Sequence, residues 1–248
     1  MDTKNITRRL ILFLSFVFFS FTFVYMSPYL AVFGSIFGIF TCGLLFWVIF
    51  LVASFLVGRA PCGWICPLGA LQEYTDDIVH RKLVKVPGLP WLRNILFVGW
   101  AGAIVILAAR AGGFHRFSLT GGFAPLLPPY DAPAYVIFYG MLITMPLMVF
   151  ILGKRAFCRY LCFFGMPLGR IGAFWKQKLG YSSLQLRCDV SLCKKCGLCD
   201  KYCVNSVPVG ILAQNGIIEH RECILCGQCV AHCPTRALRF AWGKRKEK

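Results

Sequence analysis

Two stretches decide how the last third of the chain is built: Cys193-Lys-Lys-Cys196-Gly-Leu-Cys199-Asp-Lys-Tyr-Cys203 and Cys223-Ile-Leu-Cys226-Gly-Gln-Cys229-Val-Ala-His-Cys233-Pro234. Both read C-x2-C-x2-C-x3-C, so the run is an internal repeat. Short spacers let three sulfurs wrap one corner of a cube. The chain has 14 cysteines in 248 residues. The charge pattern described below places this part in the cytoplasm, where structural disulfides are disfavoured and metal binding is favoured. In this spacing the fourth cysteine of each run ligates the other centre. Cys193, Cys196, Cys199 and Cys233 are therefore expected to hold one [4Fe–4S] cluster. Cys223, Cys226, Cys229 and Cys203 are expected to hold a second. Val204 stands where the second run has Pro234, which leaves the first turn open. Cys188 is either a spare buried thiol or a competing ligand in a C-x4-C-x2-C frame.

A second repeat lies upstream. Arg59-Ala-Pro-Cys62-Gly-Trp-Ile-Cys66-Pro-Leu-Gly69 and Arg155-Ala-Phe-Cys158-Arg-Tyr-Leu-Cys162-Phe-Phe-Gly165 both read Arg-Ala-x-Cys-x3-Cys-x2-Gly. Cysteines four apart in a helical turn share a face. Two such pairs brought together by pseudo-symmetry offer four sulfurs, enough for a third metal or redox site at Cys62, Cys66, Cys158 and Cys162. A reversible dithiol and plain packing are the alternatives.

The rest of the chain is apolar. Hydrophobic residues make up 58% and mean hydropathy is +0.66, against about 45–50% apolar for an ordinary soluble domain. Leu10 to Val57 holds no charged side chain. Four membrane spans are expected, over 9–27, 31–57, 92–110 and 133–153, because a span needs about 20 mostly apolar residues. Buried helices of a soluble core are the alternative, but no polar stripe runs along these segments. No small-residue cleavage site follows the first, so it is kept as a span. The fold class is then membrane α-helical. Two pseudo-repeated hairpins form a four-helix domain over 1–169, and a small α+β domain with two cluster runs covers 170–248.

Charge orients the spans. Eleven of the thirteen basic residues before Arg170 fall on one side, from Lys4, Arg8 and Arg9 through Arg59, Arg81, Lys82, Lys85 and Arg93 to Lys154, Arg155 and Arg159. The positive-inside rule makes that side cytoplasmic, with both termini. The formal charge of +17 counts cysteine as neutral, and each cluster on four thiolates adds about −2. Much of the remaining excess is read as a basic belt facing anionic lipid. Nucleic-acid binding is not expected, since no basic patch is interleaved with such a motif.

With these motifs the chain resembles the NapH-type membrane quinol dehydrogenase components, a group related to the polyferredoxin part of NosR-like proteins. The resemblance spans nearly the whole chain. The ferredoxin runs alone are common, and the C-x3-C repeat before them is the specific feature. The resemblance implies electron passage between the quinol pool and a partner reductase or dehydrogenase, inside a multisubunit complex of the bacterial inner membrane. NosR-like proteins add a large periplasmic flavin domain, which these 248 residues do not include.

No Cys-x-x-Cys-His occurs, so no c-type haem is expected. His80, His115, His220 and His232 lie outside the expected spans, which argues against a haem held between membrane helices. No glycine-rich nucleotide fingerprint appears, so flavin or NAD would need a partner. No catalytic residue is assigned. A quinone needs an apolar groove with a few polar groups at the bilayer edge. Gln72, Glu73, Tyr74 and His80 on the inner side qualify, as do His115, Arg116, Tyr130 and Asp131 on the outer side. Cys42 lies mid-span and is read as a small apolar residue. Three function classes stay open: an electron-transfer subunit, a copper-handling or assembly factor using the C-x3-C pairs, and a cluster-based redox sensor.

Overall fold

A computed structural model describes residues 3–19, 27–118, 132–165, 167, 169 and 183–243. The first part runs through α1 (Thr3–Val17), α2 (Pro28–Ile36), β1 (Ile39–Thr41), α3 (Cys42–Val57), α4 (Ala60–Trp64), α5 (Pro67–Val79), α6 (Pro90–Arg110), β2 (Arg116–Ser118), α7 (Ala132–Leu152) and α8 (Ala156–Tyr160). The last third contains β3 (Ser183–Cys188), α9 (Leu198–Lys201), α10 (Val209–Ala213), β4 (Ile217–Ile218), α11 (Gln228–Ala231) and β5 (Leu238–Gly243).

The helices over 92–110 and 133–153 appear as α6 and α7. The single helix expected over 31–57 does not form, and this expectation is corrected. Gly38 adopts φ +62, a left-handed conformation that ends the helical path. A side chain there would also run into the His115 ring. The chain then pairs β1 in parallel with β2, Phe40 opposite Phe117. A new helix starts at α3, where the Thr41 hydroxyl accepts a hydrogen bond from Leu44 N at 3.3 Å. α1 also starts earlier than the expected 9–27 span and carries Arg8 and Arg9 within the helix. Residues 20–26 of that span lie outside the described residues.

Among the described residues, one helix is long and apolar enough to cross a membrane, α6. α3 and the Phe138–Leu152 part of α7 are apolar but shorter. Their outer faces are not those of soluble helices, which are polar on the side away from the core. Val48, Ile49, Val52 and Leu56 are exposed on α3, Val98, Val105 and Ile106 on α6, and Ile143, Leu147 and Phe150 on α7.

The last third is a small ferredoxin-type α+β domain. Its three-stranded sheet has the order β4-β3-β5, both pairings antiparallel. Leu186 on β3 faces Ile218 and Phe240 and packs with Val207, Val209, Ala213 and Leu238 in one core. The two cysteine runs repeat in backbone as well as in sequence. Lys195 and Leu225 take φ +52 and +49, Gly197 and Gly227 +73 and +78, and Ser206 and Arg236 +51 and +53. Val204 in place of a proline therefore leaves the turn intact. Across the pseudo-twofold, Tyr202 stacks on His232 with ring centroids 3.7 Å apart.

Candidate metal centres

The two C-x3-C segments fold alike. In the first, the amides of Ile65 and Cys66 both donate to Pro61 O, at 3.0 and 3.1 Å. In the second, the amides of Leu161 and Cys162 both donate to Phe157 O, each at 2.9 Å. This tight turn sets both sulfurs of a pair on one side. The pairs converge: Cys62 and Cys158 interact electrostatically, as do Cys66 and Cys162 with both of them. Burial pushes the Cys62 thiol up, with Arg59 opposing. Burial, then the Cys62 and Cys158 thiols, push Cys66 up to about 12. Burial, then Cys158, also raises Cys162. Burial favours the neutral thiols, while Arg59 and Arg155 favour the thiolate of Cys62. Among the described residues no three Cys, His, Asp or Glu side chains are grouped for a single metal ion, while four cysteines suit the wider iron–sulfur cluster.

The arginines that open the two repeats cross over. Arg155 donates to Cys62 O at 3.1 Å and to Glu73 at 2.7 Å. Arg59 donates to Glu222 at 2.6 Å and to Arg221 O at 3.1 Å. The closing glycines make room for them. A Cβ on Gly69 would lie 3.1 Å from Arg155 Nη1, and one on Gly165 would lie 3.0 Å from Arg59 Nη2. Two further arginines complete the pattern. Arg8 holds both oxygens of Glu73, at 2.8 and 2.5 Å. Arg93 holds both oxygens of Glu222, its shorter contact at 2.6 Å. All four arginines and both glutamates are buried. Burial pushes the two carboxyls up, but paired cations win. Arg155 and Arg8 hold Glu73 down at about 2, and Arg93 and Arg59 hold Glu222 there as well.

Gln72 grips the second pair. Its Nε2 donates to Cys158 Sγ at 3.1 Å while its Oε1 accepts from Cys158 N at 3.3 Å. Of the inner quinone candidates, Gln72 and Glu73 are thus built into the cysteine site. Tyr74 donates to Arg9 O at 3.1 Å, and His80 ends α5 in a left-handed turn. Of the outer group, His115 lies against Gly38 and Arg116 opens β2. Tyr130 and Asp131 lie outside the described residues.

In the last third, Cys203, Cys223, Cys226 and Cys229 line one small cavity of about 20 Å³. Burial drives Cys223 up to about 12 and raises Cys203, Cys226 and Cys229 too. Cys193, Cys199 and Cys233 pack against the same core, and Cys196 is exposed. Burial pushes Cys233 up, but hydrogen bonding from Thr235 and nearby backbone amides brings it below its usual range. Cys188 lies beside Cys193, Cys233 and Cys199. Burial, then Cys193, push it up to about 11.

The basic belt expected from the sequence is corrected in part. Arg8, Arg59, Arg93 and Arg155 belong to the buried networks and do not face lipid. Sequence reasoning missed them and Glu222. The Arg-Ala opening shared by both repeats was the available signal for Arg59 and Arg155.

A 4Fe-4S binding domain family matches residues 39–86 and 133–181, and a 4Fe-4S dicluster domain matches 192–238. The first match thus falls on each C-x3-C segment in turn. Regulatory protein NosR of Stutzerimonas stutzeri is 27% identical over 74% of this chain and 24% of its own length. Ferredoxin-type protein NapH of Haemophilus influenzae is 22% identical, covering 78% of this chain and 66% of NapH. The chain is a homologue of the NapH and NosR proteins. YccM of Escherichia coli K12, whose name assigns it to electron transport, is 29% identical over 83% of this chain. The chain spans 57% of YccM. Both family matches are to iron–sulfur domains. No solved structure matches it.

Proposed function

We propose that the chain is a membrane-embedded electron relay with three iron–sulfur centres. Its apolar helices lie in the bacterial inner membrane, with the C-x3-C repeats at their cytoplasmic ends. Two [4Fe–4S] clusters sit in the ferredoxin-type domain, one on Cys193, Cys196, Cys199 and Cys233, the other on Cys223, Cys226, Cys229 and Cys203. The third centre sits on Cys62, Cys66, Cys158 and Cys162. A [4Fe–4S] cluster gains or loses one electron at a time, so adjacent centres suit a two-electron quinol donor and a protein acceptor in the same complex.

The observation that carries the proposal is a charge balance. Four buried arginines (Arg8, Arg59, Arg93, Arg155) surround the cysteine site with two buried glutamates (Glu73, Glu222). They leave a surplus of two positive charges. An unpaired buried charge is costly. Four thiolates on an oxidised [4Fe–4S] core carry about −2; Arg8 and Arg155 also face Cys226 of the neighbouring cluster, so the surplus serves both anionic centres. Arg59 and Arg155 favour the thiolate state, and Gln72 orients Cys158.

The test is iron and sulfide content with EPR on the purified chain. About twelve irons per chain are expected. Cys158→Ser should lower this to about eight while leaving the ferredoxin-type signals. Full iron content in Cys158→Ser would overturn the third centre. Reduction of the wild-type signals by a soluble quinol tests the donor.

A further inference from the structure

The two halves of the cysteine site are alike except for one carboxylate. Glu73 follows Cys66 by seven residues and bridges Arg8 and Arg155. The position seven after Cys162 is Gly169, which has no side chain to do the same. Arg59 and Arg93 are the pair left over. Glu222 reaches in from the ferredoxin-type domain and bridges them. A Cβ at Gly169 would lie 2.6 Å from Arg221 O, so the arriving chain fills the space a side chain there would need.

We infer that Glu222 is the missing carboxylate of the second repeat, supplied by the ferredoxin-type domain, and that it docks the Cys223–Cys229 loop on the first repeat. Three more contacts share this face. Trp64 Nε1 donates to Leu225 O at 3.0 Å, and Gln228 donates to Asn5 Oδ1 at 2.7 Å. Gly63, between Cys62 and Cys66, is covered so closely that a Cβ would lie 2.6 Å from Ile224 O and 3.3 Å from Cys226 Cβ. The counterpart of Gly63 in the second repeat is Arg159. Only the first repeat therefore has a surface that admits a cluster-bearing loop. The latch makes Glu222 a positioning residue. It sets the Cys226 loop against the Cys62–Cys66 turn, while the Cys193–Cys199 run faces outward with Cys196 exposed. The functional meaning of this docking rests on the relay proposed above; its existence does not.

The experiment is hydrogen exchange by mass spectrometry on the full iron-loaded chain in detergent, with iron content as the control. Wild type is expected to exchange slowly in 59–66 and in 221–228. Glu222→Gln removes the charge from the ferredoxin side, and Gly169→Leu blocks the site from the other side without altering the cluster runs. Each should speed exchange in both segments by at least about tenfold with the ferredoxin-type EPR signals retained. Unchanged exchange in either variant, or a rise confined to one segment, would overturn the docking. Loss of ferredoxin iron in Gly169→Leu would also overturn it, since the face would then hold a cluster and not merely dock one. Exchange is read without electron transfer, so failure of quinol reduction would sink the relay and leave this result standing.

Discussion

Glu73 shows what single residues do in this site. Its carboxyl is held at about 2, against an ordinary 4.5, by Arg155 and Arg8, which outweigh burial. A depressed carboxyl contributes stability that is fully present above the unfolded value and is lost as pH falls through the folded one. Wild type should therefore lose on the order of 3 kcal/mol between pH 4.5 and pH 2 from this group. Thermal melting against pH should show that loss in wild type and a flatter curve in Glu73→Gln, which lacks the titrating group. Gln72 offers a second test. Its hydrogen bond to Cys158 Sγ favours the more electron-rich, reduced state of a bound centre. Gln72→Leu puts in the residue found at the matching position of the other repeat, Leu168. The potential of the third centre should fall by roughly 50 mV, the one-electron equivalent of about 1 kcal/mol for one hydrogen bond. An EPR redox titration reads it directly, and an unchanged potential would remove Gln72 from the tuning of the site.

Among elements, the break between α2 and α3 matters most. Hydropathy runs through it without a sign, because Phe37 to Thr41 are as apolar as their neighbours apart from Gly38 and Thr41. Backbone conformation decides there. Gly38 turns left-handed, β1 pairs with β2, and Thr41 caps the new helix. Thr41→Ala should lower stability by about 1 kcal/mol through the lost cap, read as a lower melting temperature with unchanged iron content. The paired turns of α4 and α8 are the other informative elements. Their shared backbone was foreseeable from the repeated motif. The crossing of Arg59 and Arg155 between them was not, because each arginine bonds residues remote in sequence.

In the whole molecule, the ferredoxin-type domain and the helical part are joined through a buried charge network. A network out of water is screened little by salt, whereas surface pairs weaken beyond a Debye length of about 3 Å at 1 M. Raising salt from about 0.1 to 1 M should therefore leave hydrogen exchange in 221–228 within about twofold of its starting rate. A steep rise would mean that the contact is a surface one. The arrangement also gives the basic residues a new meaning. Charge counting assigns Arg8 and Arg93 to a lipid-facing belt, whereas they neutralise two glutamates beside the cysteine site.

The sequence by itself determined the cysteine spacing, the two internal repeats, the apolar character of α6 and α7 and the C-terminal ferredoxin-type domain. Each depends on residue type and local period, which a chain carries in one dimension. Only the tertiary structure decided that four buried arginines and two buried glutamates pair beside the C-x3-C cysteines. Only there does Glu222 stand where the second repeat has Gly169. The physical reason is that burial and charge pairing depend on which distant segments meet. Residues 73 and 155, or 93 and 222, carry no mutual signal until the fold removes them from water and brings them within ion-pair distance.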